Sequence, residues 1–421
     1  MIKTRELSNG VTVLLERSER TDTVSIGFWF PFGSRDESDE ERGFSHFLEH
    51  MLFKGTKTRS AYQIAREIDR IGGVLNAFTE KETTCFYCTV PKESILVAIE
   101  LLSDMVKNSL IAEEELLREK IVIINELRSG EDSPEDKAHE LYLRNTWGDH
   151  PLSLKITGEE NDVRGISRER LVKFYHSRFT PVNLIISIAG NIDEETVLSY
   201  LDAQIGEVEG VKFSLSRIPP RSKEFIKIEK SRFNQVQVYA GVTFTPSNRM
   251  EEYYALLVLS TILGESISSR LFQVLREEKG LCYAVYSFRT FFSDSGIFTI
   301  YASTGPREVE ELLQAVRGEI KRFVEDPPTE REVEDAKTHL KGSIVLVRED
   351  METRMKRLAR QYMMNGKVYP FEQSFKYIDS ISRERVVELS EKLIGEKNFN
   401  FLVYGKLRNV KTIERILNGE A

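Results

Sequence analysis

The order of sequence patterns in the first half of the chain is repeated in the second half. The apolar stretch that begins at Val24 has a counterpart that begins at Val236, and Ile188-Ala189-Gly190 has a counterpart at Val403-Tyr404-Gly405. Across all such landmarks the offset stays between 207 and 215 residues. A chain of 421 residues is also too long for one ordinary hydrophobic core. The repeat therefore predicts two similar domains that arose by duplication.

Strand-like and helix-like patterns follow one another within each half. The predicted fold is α+β, with two homologous domains that each consist of a mostly antiparallel sheet packed with helices. Residues 210–223, which include Pro219-Pro220, have the composition of a linker. We therefore expect domains at residues 1–212 and 223–421, joined by a linker at 213–222. In the first half the predicted strands are 11–15, 24–30, 74–79, 83–90 and 182–189, and the predicted helices are 61–71, 94–108, 113–129 (closed by Gly130) and 167–175.

One short segment carries the pattern His-x-x-Glu-His, formed by His46, Glu49 and His50. In a helix, His46 and His50 lie one turn apart on one face, and Glu49 lies beside them. Two such imidazoles can bind one Zn²⁺ ion, and a neighbouring carboxylate can take a proton from the water that the ion activates. The order reverses the commoner His-Glu-x-x-His pattern and is the inverted-zincin signature. The simpler alternative is a helix whose two histidines cap it or line a polar surface.

A zinc site needs a third protein ligand, because the motif helix supplies only two. The predicted helix at 113–129 carries Glu119 and Glu126, which are seven residues apart and therefore lie on one face. Glu126 is our candidate for the third ligand. Glu119 can accept a hydrogen bond from the N–H of a liganding histidine and so orient its ring. The glutamates at positions 113–115 are better explained as a solvated helix surface.

Composition and charge exclude several classes of function. The formal net charge is −8 and no basic cluster is present, which argues against a partner of nucleic acid or of anionic membranes. The N-terminus lacks the apolar core of a signal peptide, and no apolar run approaches the ~20 residues of a membrane span. Cys85 and Cys88 lie on one predicted strand, where their thiols point to opposite faces. We expect a cytoplasmic protein with structural thiols and no membrane or nucleic-acid partner.

These features together resemble the pitrilysin/insulysin clan of inverted-zincin metallopeptidases, most closely its half-size branch, the mitochondrial-processing-peptidase-like zinc proteases. The resemblance covers nearly the whole chain. In that family the third zinc ligand is a glutamate 76 residues after the second histidine, and Glu126 stands at this distance from His50. Glu119 matches the acidic neighbour of that ligand. The segments that match are His46 to Thr56, Leu75-Asn76-Ala77-Phe78-Thr79, Glu119 with Glu126, His150-Pro151, Ala189-Gly190-Asn191, and Arg276 with Gly280-Leu281 and Tyr283.

The resemblance also implies which residues bind the substrate. The segment Asn76-Ala77-Phe78-Thr79 is expected to be an exposed edge strand to which a peptide adds as a further β-strand. Arg276 and Tyr283 match a pair in the second domain that reaches the substrate near the metal. An arginine can hold a substrate carbonyl, and a tyrosine hydroxyl can hydrogen-bond a developing oxyanion. The run Leu152-Ser153-Leu154-Lys155 departs from the Leu-Gly-Arg of the family, which puts only local loop contacts in doubt.

The resulting hypothesis is a zinc-dependent endopeptidase that cleaves peptides or unfolded protein segments. His46, His50 and Glu126 are expected to hold one Zn²⁺ per chain, with Glu49 as the general base. Family members of this size imply a dimer, here a homodimer, that encloses a chamber. Two alternatives stay open: a processing-peptidase subunit that depends on a partner chain, and a non-catalytic assembly subunit of the same fold.

Overall fold

A computed structural model of the protein describes residues 2–208, 210, 212–246, 250–395 and 399–420. The strands are β1 Ile2–Glu6, β2 Thr12–Arg17, β3 Thr23–Phe30, β4 Val74–Thr79, β5 Thr84–Pro91, β6 Ile185–Gly190, β7 Ile226–Lys230, β8 Val236–Phe244, β9 Cys282–Phe291, β10 Gly296–Thr304 and β11 Asn400–Gly405. The helices are α1 Phe44–Leu52, α2 Ala61–Arg70, α3 Ile95–Asn108, α4 Glu113–Glu131, α5 Pro134–Trp147, α6 Glu160–Gly165, α7 Arg168–Arg178, α8 Glu194–Leu201, α9 Met250–Ser260, α10 Arg270–Phe272, α11 Val309–Glu325, α12 Glu330–Val347, α13 Met351–Asn365, α14 Phe371–Ser380, α15 Arg383–Leu393 and α16 Val410–Leu417.

The first sheet has six strands in the order β1-β2-β6-β3-β5-β4. Neighbouring strands are antiparallel, except that β2 and β6 are parallel. The β1–β2 hairpin turns at Asn9-Gly10, where a φ of +77° puts Gly10 in the left-handed region that glycine adopts most easily. The inner strand β3 is buried on both faces along most of its length, and so it reads as a nearly continuous apolar run.

The second sheet repeats this arrangement with five strands in the order β7-β11-β8-β10-β9. Its one parallel pair is β7 with β11, and its other pairs are antiparallel. The strands of the second sheet therefore take the places of β2, β6, β3, β5 and β4 in the first. The predicted α+β fold, with two homologous and mostly antiparallel domains, is confirmed.

The two compact units of the protein exchange one helix each. Helix α13, from the second half of the chain, packs against β2, β3 and β6 of the first sheet. Helix α5, from the first half, packs against β8 and β11 of the second sheet. The predicted linker, residues 213–222, contains no helix or strand. The compact units are not two consecutive halves of the chain, because each unit contains segments from both halves. The first unit comprises Met1–Arg128, Lys155–Arg217 and Leu346–Pro370, and the second comprises Ser129–Leu154, Ile218–Val345 and Phe371–Ala421.

A glycine at the same place in each sheet lets the exchanged helix approach closely. A Cβ atom at Gly27 in β3 would lie 2.5 Å from the sulfur of Met355 in α13. A Cβ atom at Gly241 in β8 would lie 2.3 Å from the hydroxyl oxygen of Tyr142 in α5. A larger residue at either position would push the helix away from its sheet, because protein cores have little spare volume. The two glycines are 214 residues apart, so this close contact belongs to the repeat.

Several predicted element boundaries differ from the structure by one to three residues, and two of these differences have a clear physical cause. Helix α4 continues to Glu131, so Gly130 lies inside the helix instead of ending it. The helix stops before Pro134, which begins α5 and restricts the conformation of the residue in front of it. The strand expected from Val182 begins at Ile185, because Pro181–Asn183 form a 3₁₀ turn and proline has no N–H for a sheet.

Among the described residues, one helical run, Met250–Glu278, is long and apolar enough to cross a membrane by length and composition. Most of the apolar part of this run is buried inside the protein. Leu256, Leu259 and Leu263 from this run belong to the core of the second unit. Polar residues such as Glu265 and Arg270 interrupt the run, so it is not a continuous apolar segment in the sequence.

Candidate metal centre

Helix α1, Phe44–Leu52, places the three functional side chains of the motif. Its apolar residues Phe47 and Met51 are buried in the core of the first unit, which fixes the helix against the sheet. His46 and His50 then lie one turn apart, with their ring centroids 4.8 Å from each other. His46 is buried and His50 is half-buried.

Glu126 of α4 lies opposite the two imidazoles. Nε2 of His46 is 3.7 Å from Oε1 of Glu126, and Nε2 of His50 is 3.8 Å from Oε2. One potential ligand atom from each residue lies within 4.8 Å of the other two. Zinc bonds of roughly 2.1 Å in a tetrahedron place ligand atoms about 3.4 Å apart, so a small movement would bring all three atoms to coordination distance. The structure therefore brings together the three residues that we predicted as metal ligands.

The surroundings of the two histidines leave one ring nitrogen of each for a metal ion. Burial lowers the pKa of His46 to about 4, assisted by the charge of His50, so the His46 ring is neutral and keeps a lone pair. Its buried Nδ1 has no hydrogen-bond partner among the described residues. Nδ1 of His50 is 3.0 Å from Oε2 of Glu119. Because a carboxylate only accepts, Nδ1 of His50 donates, which leaves Nε2 of His50 as the nitrogen available to a metal ion when the ring is neutral. Burial lowers the pKa of His50, but the hydrogen bond with Glu119 and the nearby carboxylate charges give it a net upward shift.

Glu119 is held through both of its carboxylate oxygens. Oε2 accepts from His50, and Oε1 lies 2.6 Å from Nζ of Lys54. Burial raises the pKa of Glu119, but its hydrogen bonds with His50 and Lys54 outweigh burial, and the net pKa is below the usual value. An ionised Glu119 fixes the tautomer and orientation of the His50 ring.

Glu49, our candidate for the general base, is hydrogen-bonded to the edge of the first sheet. Oγ1 of Thr79 donates to Oε2 of Glu49 over 2.5 Å. Burial raises the pKa of Glu49, while the Thr79 hydrogen bond and the charge of His50 lower it, and the net shift is upward. A general base is most effective when its pKa is near the working pH, so this environment suits the role.

Strand β4 is the edge of the first sheet and, in the part of the chain that is described, pairs with β5 alone. Its side chains alternate between two faces. Ala77 packs on the core of the first unit, whereas the ring of Phe78 lies on the other face, 5.5 Å from the ring of Trp29. Oδ1 of Asn76 accepts from the N–H of Ala77 over 2.8 Å. The segment Asn76–Thr79 thus lies on an edge strand, as we expected.

Arg276 and Tyr283 lie in the second compact unit. Arg276 is part of a π-helical turn, Gln273–Glu278, and Tyr283 lies near the start of β9 with 82% of its surface exposed. The guanidinium carbon of Arg276 is 5.4 Å from the ring centroid of Tyr283 and 4.9 Å from that of Phe272. The structure places the pair side by side, and its contact with a substrate stays a prediction.

Other residues noted in the sequence have structural roles. Nδ1 of His150 accepts from the N–H of Leu152, and its Nε2 lies 2.9 Å from the carbonyl oxygen of Ile218. Cys85 and Cys88 are buried in separate clusters on opposite faces of β5. Burial raises the pKa of both thiols, so neither is a ready thiolate nucleophile.

Three side-chain contacts that shape this centre were not predicted from the sequence. They are the hydroxyl of Thr79, the ammonium of Lys54, and the carboxylate of Glu37, whose two oxygens bind the first turn of α1. Lys54 follows His50 by four residues, so helical spacing could have placed the two on one side. The other two contacts join residues that are distant in sequence, and only the fold reveals them.

Two models of known protein families match successive parts of the chain. Residues 12–160 match the family model described as Insulinase (Peptidase family M16), and residues 165–340 match the one described as Peptidase M16 inactive domain. The chain belongs to peptidase family M16. The first match contains all four residues of the candidate centre. The second contains α9, whose sequence has no histidine.

Individual M16 proteins align with almost the full length of the chain. It is 36% identical over 396 residues to the uncharacterized zinc protease YmxG of Bacillus subtilis, covering 94% of this chain and 96% of that protein. It is 35% identical over 420 residues to an uncharacterized zinc protease of Mycobacterium leprae, covering 98% and 93%. A crystal structure of a peptidase M16 inactive domain from Pseudomonas fluorescens has a TM-score of 0.89 at 19% identity, covering 97% and 98%. The sequence relatives support a zinc-dependent metalloprotease, and the solved structure supports the fold.

Proposed function

We propose that this M16 protein is a zinc-dependent endopeptidase that cleaves peptides or unfolded protein segments. The observation that carries the proposal is the convergence of His46, His50 and Glu126, with Glu49 on the same helix as the two histidines. Two imidazoles and a carboxylate are a donor set that fits zinc and leaves a fourth position open. When bound there, zinc lowers the pKa of a water molecule toward about 7 and polarises a carbonyl group. We expect one zinc per chain.

Glu49 would carry the acid–base chemistry. Its carboxylate takes a proton from the attacking water and later returns it to the nitrogen of the leaving amine. The hydrogen bond from Thr79 holds Oε2 of Glu49 in one place, so the base is oriented before a substrate binds. Its raised pKa keeps it basic enough to accept the proton near neutral pH.

The edge strand β4 would hold the substrate through its main chain. An extended peptide that adds to β4 gains backbone hydrogen bonds, which makes recognition tolerant of sequence. Because Thr79 belongs to β4 and also contacts Glu49, a peptide on this edge runs close to the base. A folded protein seldom presents an unpaired strand, which favours peptides and unfolded segments. Arg276 and Tyr283 would hold a substrate carbonyl and the developing oxyanion.

The fold by itself does not require catalysis. A chain of Complex III2 from Candida albicans has a TM-score of 0.86 to this protein at 20% identity. A non-catalytic assembly subunit needs neither the metal ligands nor the base, and a partner-dependent subunit can lack the substrate-binding pair. This chain has the three proposed metal ligands, the proposed base Glu49, and the pair Arg276 and Tyr283. This set favours a self-sufficient peptidase. We further propose a cytoplasmic homodimer that encloses a chamber and so excludes folded proteins, without a membrane or nucleic-acid partner.

Metal analysis and peptide cleavage by the purified chain test this function. We expect about one zinc per chain, cleavage of an unstructured quenched peptide, and loss of activity on chelation that added zinc restores. Light scattering should give the mass of a dimer. A metal-free preparation that still cleaves would contradict the zinc mechanism. A zinc-loaded chain that cleaves only after a second protein is added would support the partner-dependent alternative.

A further inference from the structure

The first turn of the motif helix lacks a cap of its own. Helix α1 follows Gly43, whose φ of +82° lies in the left-handed region. A Cβ atom at Gly43 would lie 2.4 Å from the carbonyl oxygen of Thr157. The position therefore excludes the serine, threonine, aspartate or asparagine that usually accepts hydrogen bonds from the free N–H groups of a first turn.

Glu37 supplies the acceptors that Gly43 cannot. Oε2 of Glu37 accepts from the N–H of Gly43 over 2.8 Å, and Oε1 accepts from the N–H of Ser45 over 2.6 Å. Ser45 directly precedes His46 in the chain. Burial raises the pKa of Glu37 to about 8, even though these N–H groups and the charge of Arg178 act in the opposite direction. Each of the two oxygens thus accepts one backbone hydrogen bond.

The chain on both sides of Glu37 is anchored by two arginines. Arg178 donates to the carbonyl oxygen of Asp36 over 3.0 Å and to Oε2 of Glu41 over 2.7 Å. Arg217 donates to both carboxylate oxygens of Asp36, each over 2.8 Å. The Glu37 carboxylate therefore extends from a fixed backbone and can impose its own position on α1.

The segment before Glu37 is also bonded to the hairpin that contains the edge strand. The N–H of Ser34 donates to the carbonyl oxygen of Glu80 over 3.2 Å, and the N–H of Arg35 donates to that of Lys81 over 2.8 Å. Glu80 and Lys81 lie in the turn between β4 and β5. Residues 34–37 thus connect the proposed peptide-binding strand to the helix that holds the two histidines.

We propose that Glu37 is a positioning residue of the metal centre, which fixes the first turn of α1 so that His46 faces Glu126 in register with β4. The inference rests on the proposed zinc site. Glu37 has no contact with the ligand atoms themselves, so it acts through the backbone at Ser45. Groups that orient metal ligands in this indirect way typically change metal affinity or activity by about 10–100-fold when they are removed.

The substitution Glu37→Gln tests this role. The amide has almost the same size but one acceptor oxygen, so its NH₂ group meets one of the two backbone N–H groups. We expect zinc affinity, measured by competition with a chelator, to fall by about tenfold or more. The visible spectrum of the cobalt-substituted protein should change, kcat should fall, and KM should stay near the wild-type value. Glu40→Gln, an exposed residue of the same loop, is the matched control and should leave all four unchanged.

A merely structural role gives a different result. If Glu37→Gln lowers only the denaturation midpoint and keeps the wild-type zinc affinity and cobalt spectrum, the inference is wrong. If Glu37→Gln does not fold, Glu37→Asp decides, because it keeps a carboxyl group with two acceptor oxygens but is one methylene shorter. Wild-type zinc affinity in Glu37→Asp would then overturn the inference. A wild-type chain that binds no zinc would overturn the proposed function as well, whereas equal zinc binding by wild type and variant overturns the inference alone.

Discussion

Helices α1 and α9 hold the same place in the order of elements of the two halves, yet they differ in what they present. Helix α9 buries an uninterrupted run from Tyr254 to Ser260, most of it in the core of the second unit. Helix α1 buries a similar apolar face but also carries His46, Glu49 and His50 of the candidate metal centre. The two sheets share their strand order, so the shared framework does not depend on the centre. In the proposed function, catalysis would depend on a small set of side chains added to a duplicated scaffold.

The largest effect should follow from Glu49→Gln. The amide cannot accept a proton, so kcat should fall by about 10²–10⁴-fold, the usual contribution of a general base. Zinc content should stay near the wild-type value, because Glu49 is not among the three converging residues. The matched control is Glu251→Gln on α9, an exposed glutamate of the counterpart helix, which should leave cleavage intact. Substantial turnover by Glu49→Gln would remove Glu49 as the base.

A smaller but direct effect on the metal is expected from Glu126→Gln. A neutral amide is a weaker zinc ligand than a carboxylate, so zinc affinity should fall by about a hundredfold. Chelator competition measures this change without any need for activity. Glu114→Gln on the same helix is exposed and should bind zinc like the wild type. Unchanged affinity in Glu126→Gln would place the third ligand elsewhere.

The hydroxyl of Thr79 should affect the pKa of Glu49 and leave the zinc affinity unchanged. Its hydrogen bond lowers the pKa of Glu49, so Thr79→Val should raise that pKa further. Glu49 would then lose its proton only at higher pH, and the acid limb of the kcat profile should move upward by up to about one pH unit. Thr83→Val in the same hairpin removes a hydroxyl that donates to Glu80 and should not move this limb. A profile shift shared by both variants would count against the Thr79 contact.

The smallest effect is expected from Lys54→Gln. Lys54 lowers the pKa of Glu119, so its loss should raise that pKa and loosen the orientation of the His50 ring. Zinc affinity should fall by less than about tenfold, with a larger loss toward acidic pH, where more Glu119 is protonated. Lys57→Gln, an exposed lysine three residues further on, is the control. An equal loss of zinc affinity in both variants would mean that the change in net charge, and not the contact of Lys54 with Glu119, is responsible.

The residues at the centre were predictable because their chemistry constrains their spacing. Helical geometry pairs His46 with His50, and the need of zinc for a third ligand directs attention to Glu126. The contacts of Thr79 and Glu37 were not predictable, because hydroxyls and carboxylates near a motif are common. Their hydrogen-bond partners depend on the path that the loops take in the folded chain. The exchange of α5 and α13 was missed for a related reason. Amphipathic spacing shows that a helix has an apolar face, but it does not say which sheet that face covers.

That exchange has a consequence for biosynthesis. Trp29 and Ala189, in the amino-terminal sheet, pack against Met355 and Ala359 of α13. A nascent chain therefore leaves this face uncovered until more than three quarters of the polypeptide has emerged from the ribosome. Maturation of the two halves is coupled in time, and neither half translated alone would be expected to yield a finished, soluble product.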